Sequence, residues 1–273
     1  MSATRWNTTR LYPGHDDNLW ELFHENSKTS RYANFPSNET IHSRMVRMLE
    51  SLAYEGYPVV ELPTTLAPLD MALGEAILTR VTARSLERVP LSLQQVATIL
   101  HHAYGITRDN NGTGFPRPFR TIPSGGALYP LEIYFHATAV PELAPGLYHY
   151  NPTHNNLRRL REGDETRRIS QALIQKNVAT DSSMVIFITA VFERSCFKYG
   201  NRGYRFILLE AGHLGQNINL VANGLGLGCA NVGGYHDQQI DEFLGLDGVN
   251  QSTIYMIGVG KDVEGVNQAE ALL

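Results

Sequence analysis

Histidine, cysteine and serine are the usual metal ligands and nucleophiles, and none of them stands here at a productive spacing. His101 and His102 are adjacent, so on a helix their side chains point about 100° apart and cannot share one metal. Cys196 and Cys229 are too few and too far apart for a zinc site or a disulfide framework. No Walker loop, HExxH or GxSxG motif occurs. The sequence therefore predicts no metal site and no serine-hydrolase chemistry.

The side chains best suited to acid–base chemistry are Lys198 and Tyr199, which are followed closely by Arg202 and Arg205. A lysine becomes a general base when burial or a neighbouring cation lowers its pKa toward neutrality. The two arginines are candidates for that positive field, and Tyr199 is a candidate for orienting a ring or relaying a proton. From the residues alone the plainer alternative is a salt bridge from Lys198 to Glu193 or Glu210, with Tyr199 packed at an interface.

Two glycine-rich stretches permit close approach of a ligand to the backbone. In Ser124-Gly125-Gly126 the missing Cβ atoms would let a flat ligand lie against the chain, although a tight turn into a strand is the plainer alternative. The run Gly224–Gly228 resembles a dinucleotide motif but fails on spacing, because Asn231 stands where a glycine or alanine is needed.

The elements that must position these residues form an α+β order, in which helices come first and strands then alternate with helices. A capping box at Ser92–Gln95 begins one helix, and Gly105 ends it. The loop 107–124 is long enough to indicate a function. The other predicted helices cover 16–32, 39–54, 72–82, 165–175, 203–224 and 237–244, with Asp237 as the cap of the last. The predicted strands cover 131–139, 146–150, 157–160, 184–192, 228–232 and 253–259.

Composition excludes several classes of function. The chain has 273 residues, which suits one domain of 71–273 with a helical appendage and connection over 1–70. The net charge of −4 does not favour binding to nucleic acid or to an anionic membrane surface. No apolar run is long enough for a membrane span, and residues 1–20 lack the apolar stretch of a secretory signal. We therefore expect a cytoplasmic protein with no nucleic-acid or membrane partner.

Three segments occur together in an order and spacing that resemble the SagB/McbC-type dehydrogenases, which form thiazoles and oxazoles within the FMN-dependent nitroreductase superfamily. These segments are Pro123–Pro130 (PSGGALYP), Phe197–Arg205 (FKYGNRGYR) with the helix that follows, and Gly224–Tyr235. The resemblance implies a nitroreductase-like fold with a central mixed, mostly antiparallel sheet flanked by helices. It also implies a homodimer with FMN at the subunit interface. It further implies a cyclodehydratase or other biosynthetic partner, with a precursor peptide or carrier-bound molecule as substrate.

The resemblance also assigns roles to individual residues. Lys198 and Tyr199 are the expected catalytic pair, because aromatising an azoline needs a base beside the flavin. The residues expected to bind FMN are Arg80, Thr82, Arg84, Pro123, Ser124, Gly125, Gly126, Gly233, Gly234 and Lys261, of which the arginines and Lys261 suit the phosphate. The expected substrate-binding residues are Tyr129, Arg202 and Tyr235. The alternatives are a solvated basic patch at 80–84, a surface lysine at 261 and core packing of the two tyrosines.

Three functions compete at this point. The first is FMN-dependent oxidation of thiazoline or oxazoline rings to thiazoles or oxazoles. The second is an NAD(P)H-dependent nitro or quinone reductase on the same fold, which needs no lysine base. The third is a subunit that mainly scaffolds a biosynthetic complex.

Overall fold

A computed structural model describes residues 19–115 and 117–264, and in that part of the chain helices and strands alternate after a helical start. The helices are α1 (Leu19–Asn26), α2 (Asn38–Arg47), α3 (Leu73–Thr79), α4 (Leu93–Tyr104), α5 (Thr166–Ala172), α6 (Asn177–Asp181), α7 (Glu193–Tyr199), α8 (Arg202–Gly224) and α9 (Asp237–Leu244). The strands are β1 (Val59–Glu61), β2 (Leu86–Glu87), β3 (Ile106–Arg108), β4 (Phe119–Arg120), β5 (Leu131–Ala137), β6 (Gly146–Asn151), β7 (Asn156–Glu162), β8 (Met184–Val191), β9 (Gly228–Val232) and β10 (Gln251–Asp262). A 3-10 turn spans Gly125–Ala127.

One sheet has the strand order β1-β7-β6-β5-β8-β10-β2. Strand β9 also pairs with β10, outside this order. The ladders between these strands are antiparallel, while an isolated parallel bridge joins Thr82 to Cys229. Helices pack on both faces. The expectation of a mixed, mostly antiparallel sheet flanked by helices is confirmed.

The strands send alternate residues into two hydrophobic cores, one on each face of the sheet. On β5, Ile133 and Phe135 belong to the core formed with α4 and α8, whereas Tyr134 belongs to the core formed with α5 and α9. Strand β8 divides its residues in the same way and is buried over Met184–Ala190. Its continuous apolar run therefore correctly predicted a strand covered on both faces. No helix in the described ranges is long and apolar enough to cross a membrane.

Four helices are shorter than the sequence predicted, and beyond the ends of three of them the chain makes tertiary hydrogen bonds instead. The helix predicted over 16–32 is α1, which ends at Asn26, and residues 16–18 lie outside the described part of the chain. The helix predicted over 39–54 ends at Arg47, and beyond it the Leu52 amide donates to the Glu132 carboxylate at 2.9 Å. The helix predicted over 72–82 ends at Thr79, because Ala83 pairs with β9. The helix predicted over 165–175 ends at Ala172, where Leu173 bridges to Tyr235.

Other local expectations are confirmed or corrected by single contacts. The capping box of α4 is present, with Ser92 and Gln95 bonding reciprocally. The residue at the N-terminal boundary of α9 is His236, so Asp237 is its first helical residue rather than its cap. Strand β5 ends at Ala137 because the next two amides, those of Thr138 and Ala139, donate to one carbonyl outside the ladder. The loop 107–124 contains the hairpin of β3 and β4.

The segment after α1 is fastened to the sheet by buried charged groups. Glu132 accepts from Ser51 at 3.0 Å and from the Leu52 amide, and Arg117 donates to the Met48 carbonyl at 3.1 Å. Helix α2 places Ile41 and Met45 against Leu128 in a third apolar cluster. A domain boundary near residue 70 stays a prediction, and residues 41–52 contact the same loop that carries Ser124.

Candidate active site

The end of α7 presents Lys198 and Tyr199 because the chain turns sharply there into α8. Gly200 adopts a φ of 54°, and its amide donates to the Cys196 carbonyl at 2.8 Å, which closes the helix. Gly203 then packs against α7 so closely that a Cβ would lie 2.9 Å from backbone atoms of Ser195 and Cys196. The glycine between Arg202 and Tyr204 is thus needed for the two helices to meet.

Across from this corner, residues 124–129 form a tight turn held by Ser124. The Tyr129 amide donates to Ser124 Oγ at 3.0 Å, and the Ala127 amide donates to the Ser124 carbonyl at 3.1 Å. Gly126, Ala127 and Tyr129 all have positive φ, at 69°, 52° and 45°. For the two that are not glycine this conformation is costly, and such strain is typical of functional sites.

The catalytic pair predicted from the sequence converges on this turn. A Cβ placed on Gly126 would lie 2.7 Å from Tyr199 Oη and 2.8 Å from Lys198 Nζ. Both functional atoms therefore lie close to the glycine backbone, and a side chain at this position would displace them and would be strained by the φ of 69°. The structure thus brings together two segments that lie about seventy residues apart in the sequence.

Next to Lys198 and the turn lies a cavity of about 660 Å³, bounded on the other side by the hairpin β3–β4. Lys198 Nζ is 5.7 Å from the centre of the Phe115 ring and 5.1 Å from that of Tyr199. Among the described residues no carboxylate lies within ion-pair distance of Lys198. The two glutamates nearest in sequence are engaged elsewhere, Glu193 with Arg44 and Glu210 with Tyr104. The lining residues are Arg108, Asn110, Thr113, Phe115, Phe119, Arg120, Thr121, Ile122, Pro123, Ser124, Gly126, Ala127, Tyr129 and Lys198.

Beneath the turn lies a buried carboxyl group, Glu210 of α8. Its hydrogen-bond partners are hydroxyl groups, with Tyr104 donating at 3.1 Å and Ser124 also bonded. Burial raises the pKa of Glu210 to about 7, although these hydrogen bonds and the fields of Arg120 and Arg194 work in the opposite direction. A group that titrates near neutrality therefore contacts the serine that shapes the turn.

The residues predicted to bind substrate have mostly structural partners within one protomer. Tyr129 is 3% exposed, and its hydroxyl accepts from the Arg120 amide at 2.9 Å, although its edge reaches the cavity. Tyr235 donates to the Thr253 carbonyl at 3.0 Å. Arg202 and Arg205, which the sequence placed near Lys198 as a positive field, both donate to the end of α1, Arg202 at 3.3 Å to Ser27.

The predicted phosphate residues lie on the segment that follows α3. The helix ends at Thr79, so residues 80–84 lie outside it, with Thr82 in an isolated bridge and Arg84 in a bend. Thr82 and Arg84 are exposed, Arg80 is half-buried with Nη1 3.5 Å from Thr82 Oγ1, and the intervening Ala83 is buried. Lys261 is exposed near the end of β10, opposite Glu87 of β2.

Gly233 and Gly234 follow directly after β9, whose first half pairs with Thr82. Gly233 lies four positions after Cys229, the partner of Thr82, which corresponds to about 13 Å along a strand. The predicted residues thus fall into separate groups within one protomer. The turn at 124–129 lines one cavity with Lys198, while Arg80 lines another of about 260 Å³.

Sequence reasoning missed Phe115 and Arg120, which line the cavity, and Glu210, which is buried beneath the turn. The length of the loop 107–124 was the available signal for the first two. Glu210 carried no signal, since its burial follows from the packing of α4 against α8. In the described residues no three His, Cys, Asp or Glu side chains cluster closely enough to hold a metal ion.

Comparison with known proteins gives a consistent result over the main domain. The model of the nitroreductase family matches residues 77–261. A nitroreductase-like protein of Methanocaldococcus jannaschii is 32% identical over 195 residues, which covers 71% of this chain and 93% of that protein.

Two further similarities concern microcin biosynthesis in Escherichia coli. The microcin B17-processing protein McbC is 32% identical over 138 residues, which covers 47% of this chain and 49% of McbC. The match therefore spans about half of either protein. A chain in the microcin synthetase McbBCD complex with truncated pro-MccB17 bound superposes with a TM-score of 0.59 at 20% identity. That superposition covers 89% of this chain and 91% of the other, and it shows a shared fold.

Proposed function

The chain belongs to the nitroreductase family, and on this premise we propose that it is an FMN-dependent dehydrogenase that aromatises thiazoline or oxazoline rings. One observation carries the proposal: Lys198 Nζ and Tyr199 Oη meet over Gly126 beside a cavity. A hydride relay alone needs no such lysine, whereas aromatisation requires a base to take a ring proton. The similarity to McbC, a protein named for processing microcin B17, agrees with that chemistry.

The side chains present fit FMN. Arg80, Thr82 and Arg84 offer two guanidinium groups and a hydroxyl on the segment that follows α3, which suits a phosphate, and Lys261 is a further candidate. The turn over Ser124, Gly125 and Gly126, together with Pro123 and the pair Gly233-Gly234, offers backbone that a flat ring can approach. When bound, FMN would supply the acceptor for the hydride that leaves the azoline.

The protein's own groups handle the proton. Aromatisation removes two electrons and two hydrogens from the azoline, one hydrogen as the hydride and the other as a proton that Lys198 Nζ accepts. None of the described carboxylates pairs with Lys198, which lines the cavity. Tyr199, whose ring packs edge-on against Phe206 at 4.8 Å between centres, is fixed well enough to orient the substrate.

A homodimer would complete the site. In one protomer the turn with Lys198 and the segment with Arg80 line different cavities, so a ligand bridging them would draw on two chains. Helix α8 exposes Tyr204, Leu208 and Leu209, the last with 60% of its surface accessible, and such an apolar stripe suits a subunit interface. A peptide or carrier-bound substrate and a cyclodehydratase partner are part of the same proposal, since the McbBCD complex holds truncated pro-MccB17.

The second candidate is an NAD(P)H-dependent nitro or quinone reductase. The similarity to the nitroreductase-like protein of Methanocaldococcus jannaschii, which extends over nearly all of that protein, favours it. A third, a scaffolding subunit, would make Lys198 dispensable for product formation.

The test begins with the purified protein, whose flavin is released, identified and quantified. We expect one FMN per chain and oxidation of a thiazoline to the thiazole without NADPH. Lys198→Ala should keep FMN and lose turnover, while Lys176→Ala, at an exposed lysine just before α6, should change neither. Protein that cannot be loaded with FMN would refute the proposal. Turnover of nitroaromatics by NADPH with no thiazoline oxidation would establish the reductase instead. Undiminished thiazole formation with Lys198→Ala would refute the base assignment.

A further inference from the structure

The cavity beside Lys198 has a charge that contrasts with the rest of the molecule. The chain as a whole carries a net charge of −4, yet the charged side chains that line this cavity are Arg108, Arg120 and Lys198. No Asp or Glu from the described residues lines it. A pocket lined by cations without compensating carboxylates attracts an anionic ligand.

Arg120 is held in place with part of its hydrogen-bonding capacity unused. It is 6% exposed, and its guanidinium lies between the rings of Tyr104 and Tyr129, at 4.3 and 4.9 Å from their centres. Nη2 donates to the Glu50 carbonyl at 2.9 Å, whereas Nη1 has no partner among the described residues. A buried donor without a partner costs on the order of 1–3 kcal/mol.

The side chain of Thr121, the next residue, also lacks a hydrogen-bond partner within the described ranges. Thr121 Oγ1 is buried and has no hydrogen-bond partner among the described residues, and Thr121 also lines the cavity. Two adjacent residues at one wall of the cavity therefore each have a buried polar atom without a partner among the described residues.

Arg108 provides a second guanidinium at the mouth of the cavity. It is exposed, it stacks on the Phe119 ring at 4.6 Å, and none of the described carboxylates pairs with it. Phe115 and Phe119 add flat apolar surface, and the Phe115 ring lies 5.7 Å from Lys198 Nζ. The cavity therefore combines an aromatic surface beside the proposed base with an anion site formed by two arginines.

We propose that Arg108 and Arg120 anchor the substrate through a carboxylate, so that the cavity takes a flat azoline ring bearing a free carboxylic acid. This inference rests on the proposed function for the ring chemistry, and it specifies the class of substrate. The azoline would be the terminal residue of a precursor or a small heterocyclic acid, with its ring against Phe115 and its carboxylate toward the arginines. An azoline within a peptide chain, where that carboxylate is an amide, would lack the anchor.

The experiment measures binding, so that it does not depend on turnover. FMN-loaded protein is titrated by calorimetry with a thiazole carboxylic acid and, separately, with its primary carboxamide. We expect the acid to bind about tenfold more tightly than the amide, a difference equal to about 1.4 kcal/mol. The preference should shrink as salt is raised, because Arg108 is exposed and its charge is screened.

Variants locate the anchor. Arg108→Gln should abolish the preference for the acid, and Arg108→Lys should restore part of it. Arg167→Gln, at an exposed arginine of α5 that does not line the cavity, should leave the preference intact. Arg120 is a poorer first choice, because its buried contacts make loss of folding a competing explanation.

The outcomes separate this inference from the proposed function. Equal binding of acid and amide would overturn it, even if the protein oxidises thiazolines with FMN. Loss of FMN from Arg108→Gln would also overturn it, since the anion would then be the cofactor's phosphate. If the acid binds preferentially through Arg108 but no azoline reduces the flavin, the result supports the anion site. It then overturns the proposal that the protein aromatises azolines.

Discussion

Two glutamates, Glu132 and Glu210, are each 2% exposed, and their surroundings differ in kind. Glu132 meets Arg194 at 2.6 Å, His149 at 2.7 Å and two further donors from the segment after α2. Among the described residues, the hydrogen bonds to Glu210 come from the hydroxyls of Tyr104 and Ser124. The first carboxylate is compensated by charge and the second is not.

This difference determines the protonation of each group. Burial raises the pKa of both, but at Glu132 the charge of Arg194 and the bond from His149 outweigh burial and bring the pKa to about 2. At Glu210 burial dominates, and the pKa rises to about 7. A compensated glutamate fastens the N-terminal segment to the sheet, whereas an uncompensated one leaves a titratable group under the turn that carries Gly126.

The largest effect should come from breaking the compensated group. Arg194→Met leaves the buried carboxylate of Glu132 without its main counter-charge, and we expect the free energy of unfolding to fall by about 3–5 kcal/mol. The matched control is Arg44→Met, which breaks an exposed ion pair to Glu193 and should cost about 0–1 kcal/mol. Urea unfolding measures both. Equal losses in the two variants would show that Glu132 is not a structural centre.

The second test compares pH dependence. The pKa of Glu210 is higher in the folded protein than the ordinary value of 4.5, so the folded state binds the extra proton between about pH 4.5 and 7. Its contribution to stability is complete below pH 4.5 and is lost as pH rises to 7, on the order of 3 kcal/mol in all. Glu210→Gln should remove this slope. The pKa of Glu132 is lowered instead, so its contribution to stability is complete above about pH 4.5 and is lost as the pH falls toward 2.

The stability difference between wild type and Glu210→Gln, measured by unfolding at several pH values, isolates the group from other titrations. A difference that stays constant from pH 4.5 to 7 would contradict the assignment of an uncompensated carboxyl.

Some features of the fold and the site could be predicted from the sequence, and others could not. The apolar run of β8, the capping box of α4 and the long helix α8 were evident from local pattern, since each follows from periodicity or a cap. The roles of Lys198, Tyr199 and Gly126 were expected from the resemblance, whereas their contact with each other was not predicted, because no local rule joins segments so distant. The ends of α2, α3 and α5 and the contacts of Glu132 and Glu210 depend on tertiary hydrogen bonds, which a linear pattern does not encode.

A smaller effect should come from the turn above Glu210. Gly126→Ala adds a methyl group within 2.8 Å of Lys198 Nζ at a φ of 69°, so both the turn and the lysine must shift. We expect a stability loss of about 1–2 kcal/mol and at least a roughly tenfold loss of thiazoline oxidation. Gly163→Ala is the control, since its φ of 105° is also strained but nothing lies within 4 Å. If both variants retain full activity, the close approach has no catalytic role.

The smallest effect should come from a single hydroxyl. Tyr104→Phe removes a donor to Glu210 and the acceptor of the Leu131 amide, and should cost about 1 kcal/mol. Loss of that donor should also raise the pKa of Glu210 further, which moves the stability slope to higher pH. Tyr148→Phe, which removes a bond to the Ala144 carbonyl, should lower stability comparably without moving the slope.

The central claim is that Lys198 acts as the base in a flavin-dependent aromatisation, and anaerobic rapid mixing tests it most directly. FMN-loaded protein is mixed with a thiazoline, offered both as carboxylic acid and as amide, and the loss of oxidised flavin absorbance is followed. We expect wild type to reduce its flavin with stoichiometric thiazole formation, and Lys198→Ala, with FMN still bound, to do so about 10²–10⁴-fold more slowly. Flavin reduction at the wild-type rate in Lys198→Ala would contradict the claim.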